Sequence, residues 1–281
     1  MTASSRIALV FPGQGAQFVG MGRDVYDAFP AARTIFEQAD GALGFSLLRL
    51  CFEGPEDELR QTVNVQPAIV TLSLALLAAM RSARPIEASF TAGHSLGEYS
   101  ALSAAGALTA AEAINLARRR GELMQQAGVQ NPGAMAAIIG LDEQIVESVC
   151  RETGVYIANY NSPGQIVISG SAPKIEAAGR LASEKGARKV VPLQVSGAFH
   201  TPLMAPAAKG LAAAIAKVKW TEPGVPVIAN TTAEPLRTTA SIKKELTEQL
   251  THPVKWQQSV EDPRSGLNEW SLFDVDACYF F

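Results

Sequence analysis

The sequence predicts an α/β protein in which a smaller βαββαβ unit interrupts a larger body. Three observations carry this. Short, continuous apolar runs alternate with helical patterns through the first half of the chain. Between Gly133 and Val195 the texture changes to strand, helix, strand, strand, helix, strand. A G-x-S-x-G turn, Gly93 to Gly97, stands between a strand-like run and a helix-compatible one. The 281 residues, at about 150 per domain, give roughly two domains or one large α/β domain.

In chain order, Ile7 to Phe11 is an apolar run stopped by Pro12-Gly13, as a buried strand would be. Glu56 to Arg60 reads as a helix, and Ala68 to Met80 as a buried helix behind Pro67. That stretch is shorter than the ~18 residues of a membrane span. Ala88 to Ala92 is a weaker strand ending at Gly93. Thr109 with Glu112 forms a capping box opening a helix that runs to about Ala127 and stops at Gly128. Ala134 to Ile139 is a strand and Asp142 to Glu152 a helix; Val155 to Tyr160 and Gln165 to Ser169 are strands joined around Asn161-Ser162-Pro163-Gly164. Ser171 caps a helix with Pro173 near its start and Gly186 at its end, and Lys189 to Val195 closes the series as a strand. This order is that of a split βαβ, ferredoxin-like unit.

Composition narrows the function. With 47% hydrophobic residues the chain is not generally disordered, and a net charge of −3 argues against a broad basic surface for nucleic acid. Three separated cysteines, Cys51, Cys150 and Cys278, show no metal-ligand spacing and point to a reducing compartment. No signal peptide is legible at the start, so a cytoplasmic, membrane-free protein is expected.

The turn Gly93-His94-Ser95-Leu96-Gly97 fits the nucleophile elbow, which exposes a serine Oγ at a helix N-terminus. The amide of Leu96 would then face a developing oxyanion. The plain alternative is a Gly-rich turn in which Ser95 only caps the helix. A serine needs a base, and three histidines are available: His94 beside it, His252 before Pro253, and His200 where the inserted unit returns the chain. Placement favours His200. The only aspartate between Ser95 and His200 is Asp142, inside the small unit, and no glutamate stands out. A Ser–His dyad is expected, its Nδ1–H held by a backbone carbonyl.

On the Thr109–Ala127 helix, Arg120 falls at the centre of the apolar stripe, whereas Arg118 and Arg119 point elsewhere, toward solvent. A buried guanidinium needs an anionic partner. A structural ion pair and a substrate carboxylate stand about even. The Phe11-Pro12-Gly13-Gln14-Gly15 loop fails the dinucleotide fingerprint because position 18 is Phe, but it could supply a second oxyanion amide.

Together the stretches Phe11-Pro12-Gly13-Gln14-Gly15-Ala16-Gln17, Gln66-Pro67-Ala68, Gly93 to Glu98, Arg120-Gly121 with Met124, Asn161 to Gln165, Gly197-Ala198-Phe199-His200, and Pro253-Val254 with Trp256 resemble the malonyl-CoA:acyl-carrier-protein transacylase family. The resemblance spans about residues 5 to 261. It implies an α/β-hydrolase-like large subdomain, residues 1–130 and 197–281, with an inserted ferredoxin-like small subdomain, residues 131–196. It implies Ser95 as nucleophile, His200 as base, the amides of Gln14 and Leu96 as the oxyanion hole, and Arg120 as the malonyl carboxylate's partner. The Gln249 carbonyl would orient His200, and Phe199 resembles the malonyl-selecting version. Malonyl-CoA and a holo acyl carrier protein are the implied partners, with no metal, no cofactor and a monomeric chain. Arg180, Lys185, Arg188 and Lys189 are candidates for a basic patch facing an acidic carrier. A serine hydrolase or thioesterase, and a catalytically weak binding relative, are the competing readings. The segment Asp262 to Phe281 departs from the family pattern, which continues with a helix, a strand and a Gly-Pro-Gly loop, so the completeness of the sheet is in question.

Overall fold

The apolar run Ile7–Phe11 is strand β1, and it lies inside a five-stranded sheet. The computed structural model describes residues 7–195, 197–261 and 277–280. After β1 come helices α1 (Arg23–Ala28), α2 (Pro30–Leu43), α3 (Leu47–Glu53), α4 (Glu56–Leu59) and α5 (Thr62–Ala83). Strand β2 (Phe90–Gly93) leads into α6 (Gly97–Ala104) and α7 (Ala110–Gln130). The next six elements are β3 (Ala134–Ile139), α8 (Glu143–Thr153), β4 (Tyr156–Ser162), β5 (Gln165–Gly170), α9 (Ala172–Glu184) and β6 (Lys189–Pro192). The chain continues through α10 (Ala205–Ile215), β7 (Val227–Ile228), β8 (Pro235–Leu236), α11 (Thr239–Glu248), α12 (Trp256–Glu261) and β9 (Ala277–Phe280).

The larger sheet has the order β8-β7-β2-β1-β9, parallel except for the β7–β8 pair. Its central strands are buried, which explains apolar runs without alternation. β9 adds to β1 in parallel, pairing Ile7 with Ala277 through Val10 with Phe280. Part of the aberrant terminal segment therefore belongs to the sheet; residues 262–276 and 281 lie outside the described residues.

The helix expected behind Pro67 begins earlier, at Thr62, and carries Pro67 inside it. Proline has no N–H to give the Val63 carbonyl one turn back. Arg118 Nη1 bonds that carbonyl instead, at 3.2 Å. At this length α5 is long and apolar enough to cross a membrane, yet 72% of its apolar window is buried inside the protein, where it packs against α2 and α7. Helix α7 opens on the expected capping box, with Thr109 Oγ1 accepting from the Glu112 amide. It runs past Gly128 to Gln130, because Gly128 is buried within the helix and the stop comes at Asn131-Pro132.

β3 to β6 form a separate antiparallel sheet, order β4-β5-β3-β6, with its own core around Ile138, Val146, Ile168 and Ala178. Ser171 sits at the N-cap of α9, but its side chain makes no capping bond. β6 ends at Pro192, short of Val195. The unit's two connections run side by side: a Cβ on Gly133 would lie 2.6 Å from that of Ala198. β4 is also stitched to the larger body through Tyr160 N–H to the Val254 carbonyl, 2.9 Å, and Val254 N–H to Ala158, 2.8 Å. Cys51 and Cys150 are free and buried.

Candidate active site

Strand β2 delivers Ser95 and helix α6 carries the chain away. At Ser95 φ is 51°, in the left-handed region, as a nucleophile elbow demands. The two flanking glycines allow the approach. A Cβ on Gly93 would lie 2.0 Å from the Gly97 carbonyl carbon, and one on Gly97 would lie 2.3 Å from the Phe11 oxygen. The Ser95 N–H donates to Asn230 Oδ1 at 2.5 Å, and Asn230 Nδ2 donates to the Gly93 carbonyl at 2.7 Å, so one side chain braces both sides of the turn.

His200, itself at φ 59°, places Nε2 2.7 Å from Ser95 Oγ and Nδ1 2.8 Å from the Gln249 carbonyl. A carbonyl only accepts, so Nδ1 carries the proton and the bare Nε2 faces the serine hydroxyl. Burial, and then the nearby Arg120 cation, hold the His200 pKa down to about 3, which keeps the ring neutral and able to take a proton. The expected carbonyl, rather than a carboxylate, orients the ring.

Arg120 is 1% exposed. Its Nη1 donates to Gln66 Oε1 at 2.9 Å, and its Nη2 to Ser95 Oγ and Gln249 Oε1, both at 3.0 Å. Among the described residues its Nε–H has no partner and the guanidinium forms no ion pair, with no carboxylate within ion-pair distance of it. The guanidinium's hydrogen bonds go to neutral acceptors, one of them Ser95 Oγ.

These groups meet at a cavity of about 90 Å³ whose lining includes Gln14, Ser95, Leu96, Arg120, Phe199 and His200. The structure thus gathers six of the seven expected residues around one space, with Gln249 behind them. Among the described residues the amides of Gln14 and Leu96 donate to no protein acceptor. His94 also reaches the cavity, but its Nε2 is engaged with Asn161 Oδ1 at 3.0 Å and its ring packs edge-on to Trp256. His252 is exposed and bonds the Glu248 carbonyl. Arg118, expected to face solvent, is half-buried between Glu122, Asn64 and the Phe45 ring, because it serves the carbonyl that Pro67 abandons. Of the basic quartet, all exposed, Lys185 is paired with Glu152 at 2.9 Å.

Sequence reasoning missed Glu98 and Asn230. Glu98 is fully buried, accepting from the Asn230 N–H at 2.8 Å and from Gln249 Nε2 at 2.5 Å. Its signal was a charged residue one helical turn after Ser95, flanked by Leu96, Tyr99 and Leu102. Asn230 carries no local signal. Among the described residues no group of three or more His, Cys, Asp or Glu could hold a metal ion.

A strained serine between strand and helix, a neutral histidine on its Oγ and a buried guanidinium beside it make up the site of an α/β protein built around a nucleophile-elbow turn. The acyl transferase domain profile matches residues 8–268, and the chain belongs to that family. Malonyl CoA-acyl carrier protein transacylase of Bacillus subtilis (strain 168) is 47% identical over 261 residues, covering 91% of this chain and 82% of that protein. The Escherichia coli (strain K12) protein of that name is 42% identical, covering 92% and 84%. An acyl carrier protein S-malonyltransferase from Vibrio cholerae superposes with a TM-score of 0.91 at 38% identity, over 98% of this chain and 89% of that one. A malonyl-transacylase solved with its type II PKS acyl-carrier protein superposes with a TM-score of 0.89 at 37% identity, over 98% and 95%.

Proposed function

We propose that this chain moves a malonyl group from coenzyme A to the phosphopantetheine thiol of an acyl carrier protein, for fatty-acid or polyketide synthesis, through an ester on Ser95. The observation that carries the reading is Arg120, a buried guanidinium without a carboxylate partner, 3.0 Å from Ser95 Oγ. It would hold the free carboxylate of a malonyl group while the thioester end meets the serine. Relatives named for malonyl transfer to the carrier support the substrate and the partner.

In the first half-reaction Ser95 Oγ attacks the thioester carbonyl as His200 Nε2 takes its proton. The oxyanion rests on the amides of Gln14 and Leu96. As the C–S bond breaks, His200 returns the proton to the coenzyme A sulfur. In the second, His200 takes the proton of the carrier's thiol, the sulfur attacks the ester carbonyl, and Oγ leaves with that proton. Cavity walls such as Met135, Leu193, Val195 and Phe199 keep water from competing.

On this reading residues 131–196 are a ferredoxin-like insert and residues 1–130 with 197–281 an α/β-hydrolase-like body. The enzyme works in the cytoplasm as a monomer, needs no cofactor or metal of its own, and meets neither nucleic acid nor membrane. The exposed Arg180, Arg188 and Lys189 are the basic groups that would meet the carrier.

Intact-mass measurement tests the proposal. Mixing with malonyl-CoA should give a stable malonyl adduct, absent in Ser95→Ala, which passes to added holo carrier. Release of free malonate without transfer would indicate a hydrolase, and no adduct a binding protein; either result overturns the proposal.

A further inference from the structure

Gln249 makes four hydrogen bonds in the site. Its carbonyl accepts from His200 Nδ1 at 2.8 Å, and its Nε2 donates to the Ser95 carbonyl at 2.9 Å and to Glu98 Oε2 at 2.5 Å. Its Oε1 accepts from Arg120 Nη2 at 3.0 Å. The two ends of an amide share one shape but have opposite chemistry, so its neighbours must decide which end faces the guanidinium. The Ser95 carbonyl only accepts. Glu98 presents a second acceptor, and it is fixed in turn because its other oxygen takes the Asn230 N–H at 2.8 Å. Asn230 is locked by its bonds to Ser95 and Gly93. Glu98 lines neither the cavity nor Ser95 Oγ.

We propose that Glu98 is a positioning residue: its carboxyl, anchored on Asn230, orients the Gln249 amide so that the acceptor end holds Arg120 toward Ser95. Substrate selectivity then depends on a residue that never meets substrate. This inference rests on the malonyl-transfer reading. It gives the buried carboxyl in the first turn of the helix behind Ser95 a function. A glutamine there would have the same shape and the wrong hydrogen-bond pattern. In Glu98→Gln the new side chain's oxygen must stay on the Asn230 N–H, so its amino group would meet Gln249 Nε2, donor against donor. Gln249 would be forced to turn out of this arrangement, which the Ser95 carbonyl alone no longer secures, and the hold of its Oε1 on the guanidinium would weaken.

The test is the ratio of malonyl to acetyl kcat/KM, with thermal midpoints measured alongside. In Glu98→Gln the ratio should fall about tenfold to a hundredfold, the span of one hydrogen bond to a charged group, with the malonyl loss mainly in KM. In a Gln249→Met background, which keeps the His200 carbonyl contact but has no amide to turn, adding Glu98→Gln should lower the ratio no further. An unchanged ratio, equal losses for both substrates, or additive losses in the double variant would each overturn the inference. If Glu98→Gln does not fold, Gln249→Met alone carries the test, and an unchanged ratio there overturns it. Failure of the unmodified chain to load malonyl is a separate result, and it refutes the function itself.

Discussion

Arg120 donates to two glutamine oxygens and one hydroxyl, none of them charged. On the proposed function, an incoming malonyl carboxylate would be its ion-pair partner. Arg120→Ala should cost malonyl transfer a hundredfold or more in kcat/KM, about 3 kcal/mol, while acetyl transfer falls far less; parallel assays with both thioesters check this. His200 gives a pH prediction. Burial and Arg120 disfavour the imidazolium and put the pKa at about 3, so the bare Nε2 persists as pH falls from 7. The acid limb of Ser95 acylation, followed by rapid quench, should lie well below 6.5, and Arg120→Met should move it upward. Between about pH 3 and 6.5 the unfolded chain binds this proton and the native one does not, so His200's contribution makes stability rise with pH across that window. At this scale the elbow at Ser95 was legible because its geometry imposes the flanking glycines. Arg120 was legible as a charge in an apolar stripe, though its role came from the family pattern. Asn230 was not, because its partners Ser95, Gly93 and Glu98 are brought to it only by tertiary structure.

The elbow is the element on which the site depends. β2 and α6 approach so closely that the Gly97 Cα faces the backbone of β1. Gly97→Ala would drive a methyl to 2.3 Å from the Phe11 oxygen, which cannot retreat without moving a central strand. The expected cost is about 3 kcal/mol or more, seen as a large fall in thermal midpoint with loss of acylation. Helix α7 shows what periodicity reads well: the cap at Thr109 and the buried face came directly from spacing. Helix α5 shows what it misses. A proline ordinarily marks a first turn, but here a guanidinium on another helix takes over the orphaned carbonyl and lets the helix begin sooner. No local pattern announces a partner so distant in sequence.

Across the whole molecule, β1, β2 and the β3–β6 unit were readable, the first two because continuous apolar runs mark buried strands and the unit because its pattern changes abruptly, whereas α1 to α3 and the elements from α10 to α12 were not read. The outer edge of the larger sheet was not, since β9 lies in a segment unlike the family pattern. Removing residues 262–281 strips the partner from Ile7 to Val10 and exposes an edge of β1. The shortened chain should melt at a lower temperature and scatter light on warming, yet still form the malonyl adduct in the cold, because the cavity-lining residues remain. The bond between His200 and the Gln249 carbonyl has a consequence for the order of events during synthesis. Ser95, His200 and the Gln249 carbonyl that bonds its ring come from three distant parts of the chain. A nascent chain that has not yet reached residue 249 can fold the elbow, but its histidine has no fixed tautomer. On the proposed mechanism, reactivity therefore arrives late, after the walls around the serine have been made.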